Sequence, residues 1–102
     1  MNQEQLSDFM LKCMKFVDKN PKSKIIQEGS HPFSSYLEME YEEANFKIRF
    51  RAQRSPCFNG SCWVKVWSGN TEVFEAQGNF MSEPFNTQAK IYTPGDWENL
   101  LK

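Results

Sequence analysis

The segment 62–67 combines tryptophan and lysine, two residue types that often contact other macromolecules. Trp63, Lys65 and Trp67 alternate with Val64 and Val66, so a strand here would place the first three on one face and the valines on the other. Tryptophan, tyrosine and arginine are enriched at the centres of protein–protein interfaces. Aromatic rings and cations are also the groups with which sheets bind single-stranded nucleic acid, because rings stack on bases and cations follow phosphates.

Two arginines extend this pattern along the chain. Residues 44–71 include five basic and no acidic residues, and Arg49 and Arg51 are among the five. If the valines face the core, the sequence predicts a partner-binding surface made of Arg49, Arg51, Trp63, Lys65 and Trp67. The alternative is that both tryptophans lie in the core, as large aromatic residues usually do, while Lys65 extends its stem to solvent.

Groups that perform covalent chemistry are few and scattered. The single histidine, His31, has no recognisable nucleophile–base motif beside it. Cys57 and Cys62 are separated by four residues and lack the second matching pair of a zinc knuckle, although Cys13 and His31 could supply two further ligands. We therefore expect no catalytic residue, no metal and no cofactor, and hence no enzyme.

A second interpretation of the cysteines is a disulfide. Asn59-Gly60 is a strong signal for a two-residue hairpin turn, which would place Cys57 directly opposite Cys62. That geometry permits a bridge, but a reducing cytosol opposes one. We expect free thiols that pack as small apolar groups.

The segment 36–52 predicts a β-hairpin from two independent patterns. Apolar residues alternate with three glutamates in 36–42 and with three basic residues in 46–52. A two-residue turn at Ala44-Asn45 aligns both apolar faces and pairs Tyr41 with Ile48 and Met39 with Phe50. The same register favours ion pairs over a metal site or an acid–base pair, because it sets each glutamate opposite a base: Glu42 and Lys47, Glu40 and Arg49, Glu38 and Arg51.

The remaining segments predict helices at both ends of the sheet. Apolar residues at helical spacing in 3–18 predict a helix that Asn2 caps and Asn20-Pro21 ends, after which Ile25-Ile26 is irregular or a short strand. Further strands are expected at 62–67, 73–77 and 88–92, and Thr93-Pro94 begins a short helix. The prediction is a single α+β domain over residues 1–102, with a five-stranded, mostly antiparallel sheet and both helices on one face.

Composition narrows the classes of protein to which this chain can belong. The 102 residues fit one domain, and 39% hydrophobic content is too high for a disordered chain. No segment approaches the ~20 apolar residues of a membrane helix, and the N-terminal residues do not resemble a signal peptide, so we expect a cytoplasmic protein that does not bind membranes. The first hypothesis is a small protein-binding module, an inhibitor or adaptor of bacterial or phage origin. The alternative is a single-stranded nucleic-acid-binding protein, which a net charge of −1 does not favour.

Overall fold

The structure is a computed structural model that describes residues 2–31, 34–53, 61–79 and 86–101. No helix among these residues is both long enough and apolar enough to cross a membrane. In chain order the elements are α1 (Gln3–Lys19), β1 (Lys24–His31), β2 (Ser34–Glu43), β3 (Phe46–Gln53), β4 (Ser61–Ser68), β5 (Thr71–Asn79), β6 (Asn86–Tyr92) and the 3-10 helix η1 (Asp96–Leu101).

The six strands form one sheet in the order β1-β2-β3-β4-β5-β6, and every neighbouring pair is antiparallel. The α+β class, the antiparallel sheet and the two terminal helices are confirmed. The count of five strands is wrong because the segment around Ile25-Ile26 is a full edge strand. Ile25 pairs with Met39 and Gln27 with Glu38, so Ile26 is an extra residue in a β-bulge that interrupts the alternation of side chains.

The predicted hairpin register of β2 and β3 is confirmed pair by pair. Tyr41 lies opposite Ile48 and Met39 opposite Phe50, with the two-residue turn at Ala44-Asn45. Ala44 has a φ of 53°, and it is the one non-glycine residue of the described chain with a positive φ. A positive φ at the first turn residue alone is typical of a type II′ turn, where glycine is preferred.

Helix α1 covers one face of this sheet. Asn2 caps the start of the helix, as predicted, and forms a capping box with Gln5. The buried stripe of the helix joins the apolar faces of the strands in one core, to which α1 contributes Leu6, Met10, Cys13 and Val17. At the start of the helix, the buried Ser7 and Thr87 hydroxyl oxygens lie 2.6 Å apart, so both polar groups are satisfied where the helix meets β6.

The second helical element closes the same core near β5 and β6. The Trp97 ring of η1 packs edge-to-face on Phe9 with centroids 5.7 Å apart, and it also contacts Phe74. Its indole N–H donates to the Thr93 carbonyl at 2.8 Å, which satisfies the polar end of a buried ring. Both helices therefore lie on one face, as predicted, and the opposite face of the sheet, called here the open face, faces away from them.

The two tight turns should respond in opposite directions to exchange of glycine and alanine. Ala44→Gly should raise the free energy of unfolding by about 1 kcal/mol, because glycine adopts a positive φ without the Cβ clash. Gly69→Ala should lower it by about the same amount, because Gly69 has a φ of 67°, which is strained for a residue with a Cβ even though that Cβ would meet no atom within 4 Å. Urea unfolding of both variants checks this, and a destabilised Ala44→Gly protein would contradict it.

Candidate binding face

The valines of β4, and not the tryptophans, belong to the core. Val64 and Val66 are each 0% exposed, whereas Trp63 and Trp67 are partly exposed on the open face. The alternative in which both tryptophans are core residues is therefore wrong. The physical reason is that β4 alternates and only one of its faces can meet α1.

A β-bulge in β5 interrupts the alternation of side chains on the strand next to β4. Val66 pairs with Phe74, but Trp67 pairs with Glu72, so Val73 is an extra residue. Val73 and Phe74 are both buried, and the bulge leaves Glu72 and Glu75 together on the open face although three positions separate them. Simple alternation along β5 therefore gives the wrong face for one of its ends.

The structure brings the five predicted surface residues together. Arg51 lies directly opposite Trp63, and Arg49 lies opposite Lys65, in the register of β3 and β4. The same register places Lys47 opposite Trp67, so the surface includes a sixth residue that the prediction left out. Its signal was available, because Lys47 alternates in phase with the two arginines.

Each tryptophan of this face carries a cation over its ring. The Lys47 ammonium nitrogen lies 4.6 Å from the Trp67 ring centroid, and that of Lys65 lies 5.5 Å from the Trp63 centroid. The Arg51 guanidinium lies 4.4 Å from the centroid of Tyr36 on β2. Cation–π contacts at such distances contribute about 0.5–1 kcal/mol each at exposed sites.

The ion pairs between β2 and β3 run diagonally across the sheet and not between directly opposed residues. The Lys47 nitrogen lies 3.6 Å from a Glu40 oxygen, although its opposite residue is Glu42. Arg49 Nε lies 3.9 Å from Glu38 and has no hydrogen-bond partner among the described residues. The predicted register is thus right, but the predicted direct ion pairs are wrong, because long side chains also reach the residue two positions along the facing strand.

The Glu72 carboxyl occupies an electrostatically unfavourable position on this face. Burial raises its pKa, and so do the hydrogen bond and the negative charge of Glu75, while the positive charge of Lys65 acts in the opposite direction. Its Oε1 is buried and has no hydrogen-bond partner among the described residues. Glu75 has an ion pair, with the Lys90 nitrogen 3.9 Å away, whereas Glu72 has no ion pair among the described residues.

Reactive groups do not converge within the described residues. Cys13 and Cys62 are free and buried, and burial raises the pKa of each thiol to about 12, so neither is a thiolate at neutral pH. The Cys62 thiol donates to the Gly78 carbonyl at 3.5 Å, so the predicted free thiol is confirmed for this residue. Cys57 and the His31 side chain lie outside the described residues, and the described ones contain no cluster of His, Cys, Asp and Glu suited to a metal.

Comparison with known proteins does not assign the chain to a family. No protein-family model, no curated protein and no solved structure matches it. The geometry of the open face and the chemistry of its side chains are therefore the basis for a functional proposal.

Truncation of a tryptophan on the open face should cost far less stability than truncation of a core ring. Trp63→Ala and Trp67→Ala should each lower the free energy of unfolding by about 1 kcal/mol, roughly the contribution of one exposed cation–π contact. Phe74→Ala, at a fully buried ring, should lower it by about 3–5 kcal/mol. Chemical denaturation of the three variants checks this, and equal losses would place the tryptophans in the core.

The Glu72 carboxyl should make stability depend on pH with a definite sign. Its pKa is raised in the folded state above the ordinary 4.5, so its favourable contribution is complete below that value and is lost as the pH rises through the folded-state pKa. Glu72→Gln should therefore raise the melting temperature at pH 7, by about 2 °C, and change it little at pH 4. Glu42→Gln, at an exposed carboxyl of the same face, is the control, and a larger gain for Glu72→Gln at pH 4 than at pH 7 would contradict the assignment.

Proposed function

We propose that the chain is a non-enzymatic protein-binding module, an inhibitor or adaptor acting in the cytoplasm, and that its open face binds the partner. The observation that carries this proposal is the exposure of Trp63 and Trp67 at the middle of a six-stranded sheet whose core is complete without them. The part of each tryptophan ring that contacts water is buried only when a partner covers the open face, and that burial favours binding. Tryptophan and arginine are also the residues that most often dominate binding energy at protein interfaces.

The sheet edges are poorer candidates for the binding surface than the open face. Both edge strands contain a β-bulge: Ile26 is the extra residue in β1, and Lys90 is the extra residue in β6. Bulges and edge lysines prevent regular pairing with another strand. Strand addition at either edge would therefore lack a regular ladder, and the middle of the open face remains the more suitable surface.

The state of the cations supports a protein partner over single-stranded nucleic acid. Lys47 and Arg49 are already within 4 Å of glutamates, and Lys47 and Lys65 already cover one side of the tryptophan rings. A polynucleotide would need those cations for its phosphates and those rings for its bases. Glutamates on β2 and β5 flank the basic strands and would repel a phosphate backbone. Nucleic acid therefore stays the alternative function.

Site-directed photo-crosslinking tests which surface binds the partner. A benzophenone amino acid in place of Lys65 should form a covalent adduct with one predominant protein in extract of the source cells. The same group in place of Lys15, exposed on α1, is the matched control and should not form that adduct. Trp67→Ala in the Lys65-labelled protein should reduce the adduct by about tenfold, the loss expected when one interface anchor is removed. Equal adducts from both positions, or none from position 65, would overturn the proposal.

An oligonucleotide titration distinguishes the protein-binding function from single-stranded nucleic-acid binding. A protein-binding face should show no change in tryptophan fluorescence when a thymidine oligonucleotide is added at 50 mM salt. Quenching that weakens steeply with added salt would instead show phosphate neutralisation and base stacking, and the nucleic-acid function would then replace the protein-binding one.

A further inference from the structure

Two cations at one end of the open face have no carboxylate partner. Arg51 and Lys65 form no ion pair among the described residues. They are diagonal neighbours in the register of β3 and β4, because Arg51 lies opposite Trp63 and Lys65 follows two residues later on the same strand. Diagonal neighbours lie about 7–8 Å apart, within reach of long side chains, so both cations lie beside the Trp63 ring.

The carboxyls nearest to this pair of cations already have other partners. Glu38 lies opposite the arginine of the pair, but the cation within ion-pair distance of it is Arg49, at 3.9 Å. Glu75 lies opposite the lysine, and its ion pair is with Lys90, also at 3.9 Å. Four cations therefore share two carboxylates. The next carboxyl along β5 is Glu72, and even with this group counted one positive charge remains in excess.

Repulsion between cations adds to this excess. Arg49 lies directly opposite Lys65 across β3 and β4. Like charges in directly opposed positions destabilise a sheet, and here one carboxylate, Glu38, compensates one of the two. An anion bound beside these strands would relieve the repulsion, so the arrangement favours an anionic occupant.

The Arg51 guanidinium is positioned to bind a carboxylate. Its central carbon lies 4.4 Å from the Tyr36 ring centroid. The ring holds the group on one side, so N–H donors remain available on the side away from it. Within the described residues no hydrogen bond uses these donors. A rigid fork of free donors is the group that pairs with a carboxylate through two hydrogen bonds.

The excess of positive charge is confined to this end of the open face. Farther along β3, Arg49 lies within 4 Å of Glu38, and Lys47 lies within 4 Å of Glu40. A polynucleotide presents successive phosphates and needs cations along its whole path. One pair of unpaired cations beside an aromatic ring suits a single carboxylate on an aliphatic stem better, which is the chemistry of an acidic side chain.

We propose that Arg51, Lys65 and Trp63 form the subsite for an acidic side chain, glutamate or aspartate, of the protein partner. The inference rests on the proposed function and names the partner chemistry for one end of the open face. The carboxylate accepts two hydrogen bonds from the Arg51 guanidinium and one from the Lys65 ammonium. The aliphatic stem covers the part of the Trp63 ring that is exposed to water.

Titration with N-acetyl-glutamate methylamide tests the subsite without the partner. In ¹⁵N NMR spectra the probe should shift the Trp63 indole and Arg51 Nε–H signals saturably. N-acetyl-glutamine methylamide, which has nearly the same shape without the charge, should bind about tenfold more weakly. Dimethyl phosphate carries the single charge of a nucleic-acid linkage but has no stem for the ring. It should bind about fourfold more weakly, the contribution of one buried methylene.

Charge-removing variants identify the residues that bind the glutamate probe. Arg51→Gln should weaken its binding about tenfold, because two charge-assisted hydrogen bonds are lost. Lys65→Gln should weaken it about threefold, because an ammonium makes one point contact. Lys15→Gln is the matched control: it removes the same charge from the exposed side of α1 and should leave the affinity unchanged.

The outcomes that overturn the subsite differ from those that overturn the protein-binding function. Glutamine binding as tight as glutamate binding, dimethyl phosphate binding as tight or tighter, or an unchanged affinity in Arg51→Gln or Lys65→Gln would each overturn the subsite. The crosslink from position 65 is measured separately in a protein that keeps Arg51 and both tryptophans, so the proposed function would stand. Absence of that crosslink would overturn the function even if the glutamate probe bound.

Discussion

Burial of one sheet face beneath α1 is the constraint on which the other features of this structure depend. Successive side chains of a strand point to opposite faces, so once Val64 and Val66 enter the core, the residues between and beside them must face outward. Because Arg49 and Arg51 lie opposite Lys65 and Trp63 in the register of β3 with β4, they also face outward. The tryptophans lie outside because of this pattern, although each is more apolar than the lysine between them.

The sequence predicted best where two patterns agreed. In the hairpin, apolar alternation and charge alternation led to the same register. Tyr41, Met39 and the three glutamates each lie opposite the predicted residue of β3. Prediction failed where a bulge adds one residue. The bulges at Ile26 and Val73 each interrupt the period of two, so the pattern did not reveal β1 as a full strand, and alternation along β5 gives the wrong face for one of its ends. A bulge depends on pairing with the neighbouring strand, so it leaves no local signature in the sequence.

The candidate site was predictable in its members but not in its electrostatics. Alternation alone placed the five residues on one face, but it did not show which face of β4 is buried. Alternation did not reveal that Lys47 reaches diagonally to Glu40 and covers Trp67, because these contacts depend on side-chain length and on distances across the sheet. The consequence is functional: a basic strand that looks suited to phosphates has its charges largely compensated in the folded protein.

Charge also gives the open face a direction along β4. Near Trp63 the cations Arg51 and Lys65 lie over aromatic rings and have no ion pair among the described residues, so positive charge is in excess there. Near Trp67 the Lys47 ammonium lies over the ring, and Glu42 and Glu72 lie opposite Lys47 and Trp67, so charges of both signs are present. The two tryptophans thus differ in the charges around them. A partner that buries both rings gains electrostatic complementarity in one orientation and meets like charges in the reverse one, which is how charge contributes specificity to an interface whose affinity comes from aromatic burial.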